Sequence, residues 1–377
     1  LPLVRTSLRT TPSSGLKRRP QRLLFERILI MCKELYQSCN QCPRKCGSNR
    51  NAGKTGFCRE NAEVRIAVAC LHFGEEPLIT VHGGSGTIFI TGCTLRCAFC
   101  QNYQISQNGM GKSVSCEEFS LICLKLQEAG AENINIVTGS HAVPKLAEYI
   151  EAAQKAGCKI PFCWNSSAFE SVEMLELLKP FVKIWLPDLK TLDSKLSKNL
   201  FDAAQYPEAA KKAISWMIKN NPLSISEIPA PKDYTDSNGE NWQKGEIKEK
   251  MNQGVIIRHL FMPGKFMETA DVLEWLKENA DGKACISLMN QYTPVPFDEE
   301  RENLEKRKNA LSSIENRLVS REEDADLQDL LEAWDFEYLF YQELSDDTSW
   351  LPDFNKKQPF SNKLAVPVWH HKYGFLK

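Results

Sequence analysis

The stretch Gly86-Thr-Ile-Phe-Ile-Thr91-Gly92-Cys93-Thr-Leu-Arg-Cys97-Ala-Phe-Cys100-Gln-Asn102 decides how the rest of the chain is read. Its first six residues are rich in β-branched and apolar side chains, the composition of a buried strand. The strand runs straight into three cysteines spaced C-x3-C-x2-C. One short loop at the C-terminal end of a strand therefore presents three thiols. In barrels of parallel strands that end carries the chemistry. Two ligand sets are open at this point. The thiolates can hold a [4Fe–4S] cluster, which usually takes four cysteines, so that one iron keeps open sites. They can also hold a zinc ion completed by one of the six histidines.

Working outward, short β-branched runs recur at Asn133–Val137, Ile160–Trp164, Val182–Leu186, Val255–His259 and Ala284–Leu288. Helical patterns lie between them, over Ser115–Ala129, Val143–Ala156, Ala168–Leu178, Tyr206–Lys219 and Glu268–Asn279. Gly130 and Gly157 sit where a helix-ending glycine belongs, and Pro180 and Pro222 follow their helices. Strands alternating with helices imply βαβ units and a parallel sheet. Six units fall within residues 79–290, whereas a full eight-unit barrel takes about 250 residues. The expectation is an α/β fold, a partial (β/α)6 TIM-like barrel.

Residues 223–250 are rich in Pro, Asn, Lys and Glu and read as a mobile surface insertion. Residues 298–332 are strongly charged and read as exposed helix. The tail then turns aromatic, from Trp334 to Trp369, and needs a surface to bury against. Residues 291–377 thus form a C-terminal extension. At the other end, residues 31–78 hold Cys39, Cys42, Cys46 and Cys58 among Gly53 and Gly56. This C-x2-C-x3-C-x11-C knuckle suits either structural zinc or a second iron–sulfur cluster. Residues 1–30 carry six basic residues and no acid among the first 25. They read either as an organellar transit segment or as sequence upstream of a start at Met31.

Composition excludes some classes. No apolar run approaches the roughly 18 residues of a membrane-spanning helix. Net charge is -1, from 47 basic and 48 acidic side chains, which disfavours a general nucleic-acid binder. Fourteen cysteines in a chain of 377 residues, half of them in two clusters, point to metal rather than to disulfides. The other seven (Cys32, Cys70, Cys116, Cys123, Cys158, Cys163, Cys285) are scattered and read as packing residues.

Four further strand ends carry polar groups: Thr138-Gly139-Ser140-His141, Cys163-Trp-Asn165-Ser166-Ser167, Pro187-Asp188-Leu-Lys190 and Met289-Asn-Gln291. Within a fifth strand, Arg258 sits among apolar neighbours, where an unpaired charge is costly. His259 alternates to the opposite face and reads as structural. With the cysteine spacing, this order of motifs resembles the radical SAM superfamily. Within that superfamily it is similar to uncharacterised homologues of the pyruvate formate-lyase activating enzyme, over about residues 36–377 without the 223–250 insertion.

The resemblance implies a [4Fe–4S] cluster on Cys93, Cys97 and Cys100 and S-adenosylmethionine (SAM) on its open iron. An electron from the cluster would cleave SAM to a 5′-deoxyadenosyl radical, which abstracts hydrogen from a substrate. In the activators that substrate is a backbone glycine of a partner enzyme. The resemblance further implies adenine against Phe99 and near Gln291, and the methionine amino group at Thr138, Gly139 and Ser140, with His141 as the other candidate. Asn165 and Ser166 would face the ribose, Asp188 and Lys190 the SAM pocket, and Arg258 the methionine carboxylate. This chain lacks the Glu that activators carry after their glycine pair. Simpler roles remain open for each: packing for Phe99, helix capping around Ser167, and an ion pair for Asp188 and Lys190.

Expected partners are an electron donor such as flavodoxin or ferredoxin and a protein substrate, with no membrane. Expected localisation is cytoplasmic, or an organelle matrix if the leader is a transit peptide. Two rival functions stay open: radical modification of a small molecule or RNA, and a non-catalytic zinc-binding interaction protein.

Overall fold

The computed structural model describes residues 34–236, 239–297, 301–361 and 364–376. The basic leader and Cys32 lie outside the described residues. The strands are β1 (Arg65–His72), β2 (Ser85–Ile90), β3 (Lys112–Ser113), β4 (Ile134–Val137), β5 (Phe162–Ser166), β6 (Val182–Pro187), β7 (Ser224–Pro229), β8 (Tyr234–Thr235), β9 (Asn241–Trp242), β10 (Ile247–Leu260), β11 (Cys285–Met289), β12 (Leu339–Tyr341), β13 (Ala365–His370) and β14 (Gly374–Phe375). The helices are α1 (Tyr103–Ser106), α2 (Cys116–Glu128), α3 (Val143–Ala156), α4 (Val172–Leu178), α5 (Ser194–Phe201), α6 (Tyr206–Asn220), α7 (Phe266–Asn279), α8 (Arg301–Leu311) and α9 (Arg321–Trp334).

One sheet organises the chain, in the order β12-β11-β10-β6-β5-β4-β2-β1-β13-β14. From β2 to β12 every neighbouring pair is parallel. All six strands expected from the sequence are present in that run, and β12 adds a seventh. Among the described residues the two ends of the order do not pair with each other, as expected for a partial barrel. At the other edge, β1 and β13 add antiparallel strands beside β2. The sheet thus runs across residues 78 and 290, where the sequence divides.

Strand periodicity distributes side chains to two faces. Ile136, Trp164, Trp185, Ile257 and Ile286 pack with Ile122, Leu146, Leu175, Ile214 and Leu276 of the helices. Complete burial of Trp164 and Trp185 contributes about 2–3 kcal/mol each. On the opposite face Cys163, Ile184, Ile256 and Cys285 meet Leu78 and Ile79 of the β1–β2 loop. The tail also finds its surface, since Phe354 and Phe360 pack on Phe89 of β2.

Two expectations need correction. The composition of 223–250 suggests a mobile insertion, but β7 within it pairs antiparallel with the first half of β10 as a β-arm. At Gly254, φ +149, β10 leaves β7 and joins β6 in parallel. The third expected helix starts at Val172 rather than Ala168: Ala168 takes a left-handed φ of +54, so the chain turns before it coils. Ser171, not Ser167, holds the N-cap position there.

Candidate active site

The cysteine loop leaves β2 through Gly92, φ +90, at a point too crowded for a side chain. A Cβ there would lie 2.3 Å from Cγ of Glu60. The loop then curls round the Cys93 sulfur, which accepts the backbone N–H groups of Leu95 (3.3 Å) and Arg96 (3.4 Å). Cys100 Sγ lies 3.2 Å from Ser106 Oγ. Outside anchors hold the loop from three sides. Arg44 Nε donates to the Thr94 carbonyl (2.5 Å), Ala98 N–H donates to the Leu200 carbonyl (2.8 Å), and Arg307 Nη1 donates to the Ala98 carbonyl (2.9 Å). Burial pushes the thiols of Cys93, Cys97 and Cys100 up, and the Lys190 ammonium opposes it at each.

The sheet brings four of the nominated strand-end residues into one polar chain. Arg258 Nη2 donates to Asn165 Oδ1, and its Nε donates to Asp188 Oδ1 at 3.1 Å. The other Asp188 oxygen accepts Lys190 Nζ at 2.8 Å. Burial disfavours the Asp188 carboxylate, but Lys190 and then Arg258 outweigh it and hold the carboxyl below its usual range. Burial likewise works against Lys190, and Asp188 followed by Cys97 reverses it. The chain from Asn165 to Lys190 therefore ends beside the cysteine loop.

Other nominated residues stand differently. Ser140 Oγ donates to Glu170 Oε1 at 2.6 Å, beside the indole N–H of Trp164, which donates to the same oxygen at 3.1 Å. Trp164 belongs to the helix-side core, so Ser140 is engaged away from the polar chain. Thr138 has φ +64, and a Cβ on Gly139 would lie 2.6 Å from the Trp164 ring, so these two residues shape a tight turn. Ser166 Oγ accepts the Ala168 N–H at 3.2 Å, a turn contact. Phe99 packs against Phe201 and Tyr292, each at 6.1 Å. Gln291 Nε2 donates to the Glu343 carbonyl of the extension at 3.0 Å. His259 is structural as read: its ring nitrogens meet the Leu189 carbonyl (2.7 Å) and Thr269 Oγ1 (2.9 Å).

Acids of this chain already stand near Arg258. Besides Asp188, the carboxylates of Glu76 and Glu75 act on it from the β1–β2 loop. Burial raises Glu76, whereas His72, 3.3 Å away, outweighs burial at Glu75 and lowers it. Sequence reasoning missed this pair, as it missed Glu170, Arg44 and Arg307. Two adjacent acids between buried strands were the available signal for Glu75 and Glu76; the others come from turns and helices with no local mark.

The four knuckle cysteines also come together, around one small cavity that also touches Thr94 and His141. Among the described residues, no group of three or more His, Cys, Asp or Glu side chains is already drawn to metal-ligating distances. The donor chemistry of the loop nonetheless fits an iron–sulfur cluster: thiols of Cys93 and Cys97 buried and of Cys100 half-buried, two amides aimed at one sulfur, and a lysine whose charge favours thiolate.

Residues 87–241 match the family model described as the Radical SAM superfamily. An uncharacterized protein of Methanocaldococcus jannaschii is 28% identical over 272 residues, covering 70% of this chain and 68% of that protein. Among solved structures, Streptococcus suis SuiB bound to precursor peptide SuiA aligns at TM-score 0.43 and 13% identity, over 67% of this chain and 46% of that one. A domain of pyruvate-formate lyase-activating enzyme from Bacteroides vulgatus aligns at TM-score 0.33 and 12% identity, over 53% of this chain and 91% of that one. This chain spans about half the length of the SuiB structures it matches.

Proposed function

The chain carries a radical SAM domain over residues 87–241, and from that premise we propose a radical SAM enzyme whose chemistry is centred on Cys93, Cys97 and Cys100. The observation that carries the reading is the cysteine loop itself: two buried thiols and a half-buried third at a strand end, with Lys190 acting on all three. When bound there, a [4Fe–4S] cluster supplies the electron that cleaves SAM to a 5′-deoxyadenosyl radical.

The chain's own residues bind and orient. Lys190 offers a cation to an anionic group of SAM or substrate, and Asp188 holds Lys190 and Arg258 in place. Asn165 faces the sugar, and Phe99, backed by Tyr292, offers an aromatic edge to the adenine. Because Ser140 is engaged by Glu170, Thr138 and the backbone of Gly139 are the better candidates for the methionine amino group. Reducing equivalents would come from a flavodoxin or ferredoxin.

For substrate, we read a backbone glycine on a partner enzyme, on the likeness of the Asp188-x-Lys190 and Arg258-His259 motifs to the activating enzymes. Among the described residues no helix is long and apolar enough to cross a membrane. The test is electron paramagnetic resonance of anaerobically purified, reduced protein. The account expects the cluster signal to change shape on addition of SAM, and a persistent glycyl radical on the partner enzyme after turnover. A cluster signal indifferent to SAM would remove the radical reading. A SAM-sensitive cluster that radicalises no glycine would remove only the substrate.

A further inference from the structure

The knuckle is a tight fold in its own right. Gly47 N–H donates to the Cys39 carbonyl (2.9 Å) and Cys39 N–H to the Ser48 carbonyl (3.1 Å), closing the first three cysteines into one loop. Lys45 (φ +45) and Gly47 (φ +66) make the reversal. The chain then returns through a short 3-10 turn at Arg50–Ala52 to Cys58. A Cβ on Gly56 would lie 2.7 Å from Cys46 Sγ, so glycine is what admits that thiol.

The four cysteines line a cavity of about 10 Å³, shared with Gln41, Arg44, Arg50, Phe57, Thr94 and His141. Gln41 is 1% exposed, and Thr94 and His141 are 3% each. Yet both amide atoms of Gln41, Thr94 Oγ1 and His141 Nδ1 have no hydrogen-bond partner. Buried polar atoms without partners are rare, and so many around one cavity point to a ligand between them. That ligand faces thiols with cations behind them: the charges of Arg44 and Arg50 act on Cys42, and on Cys58 and Cys39.

Size decides its identity. The cavity has room for about one atom-sized guest. A four-iron cubane would need space for four irons and four sulfides between the thiolates. Zinc–thiolate bonds of about 2.3 Å place tetrahedral sulfurs about 3.8 Å apart, and the Cys39 and Cys46 thiols line the same small cavity. The thiols line the cavity rather than meet in it, so ligation would draw them inward. Two arginines balance the net charge of a Zn2+ held by four thiolates.

We propose that Cys39, Cys42, Cys46 and Cys58 bind one zinc ion, and that this ion braces the cysteine loop of the radical SAM domain. The bracing path is short. Cys42 leads through Pro43 to Arg44, whose guanidinium stacks on Phe57 at 3.4 Å and donates to the carbonyls of Thr94, Phe201 and Asp202. Thr94 is the residue next to Cys93. The bracing rests on the proposed cluster site; the zinc does not.

The experiment is elemental analysis of full-length protein purified without oxygen. The proposal expects about one zinc and about four irons with four sulfides per chain. Cys93→Ala/Cys97→Ala/Cys100→Ala should lose the iron and keep the zinc, and Cys42→Ser/Cys58→Ser should lose the zinc. Arg44→Ala should keep zinc yet lose iron to a chelator several-fold faster than wild type. About eight irons without zinc, a single iron in zinc's place, or no second metal in the wild type would each overturn the site. Zinc retained with unchanged iron loss in Arg44→Ala would overturn the bracing. Zinc present while wild type lacks a SAM-responsive cluster would sink the proposed function and leave the zinc site standing.

Discussion

The two cysteine clusters sit side by side but in different surroundings. The knuckle thiols line one small cavity, with neutral polar groups and two arginines beside them. The loop thiols lie at the end of a polar chain that runs from Asn165 through Arg258 and Asp188 to Lys190. A set of four thiols suits an ion that only holds structure, while neighbouring charged groups suit a centre that must accept a ligand. Burial pushes most of these thiols up, so the difference lies in geometry and neighbours rather than in acidity. Cys46, the exposed knuckle thiol, is lowered despite burial because Ser48 donates to it.

The sharpest way to break this contrast is Cys97→Ala. It should reduce SAM cleavage by on the order of 1,000-fold, since no other thiol of the loop can take its place. Zinc measured in the same sample should stay unchanged. Next comes Asp188→Asn, which leaves Arg258 and Lys190 short of their shared carboxylate. Urea unfolding should show a loss of about 3 kcal/mol, as for removing one partner of a largely buried ion network.

His259 sharpens the contrast through pH. Burial lowers its pKa from 6.5 to about 4, so the unfolded chain binds the proton more readily. Its contribution to stability is complete above pH 6.5 and is lost as pH falls toward 4. His259→Gln should flatten that part of the stability–pH curve by about 2–3 kcal/mol. Gly92→Ala should cost about 1.5 kcal/mol, from a left-handed backbone and the contact with Glu60. At the small end, Lys125→Ala breaks an exposed pair with Glu128 and should leave the urea unfolding midpoint unchanged.

Much of the frame was legible because it is local. The six parallel strands are runs of β-branched residues, and their ends in the sequence fall within two residues of the observed ends, apart from the long arm of β10. Asn165, Asp188, Lys190 and Arg258 could be grouped without a structure because parallel strands bring their C-terminal ends together. What escaped was long-range. β12 is three residues that pair only after an excursion of some fifty residues, and its pattern alone says nothing. Ser140 was misjudged because its partner Glu170 arrives from a turn that depends on Ala168 taking a left-handed backbone. Arg258 looked unsatisfied because Glu75 and Glu76 reach it from a loop preceding the first parallel strand.

The central claim is that the Cys93, Cys97 and Cys100 loop performs SAM cleavage. Its most direct test is the yield of 5′-deoxyadenosine from anaerobic, cluster-filled protein given SAM and a strong reductant. The account expects formation that depends on reductant and SAM and is absent from the Cys97→Ala variant. Cluster-filled wild type yielding no more than that variant would contradict it.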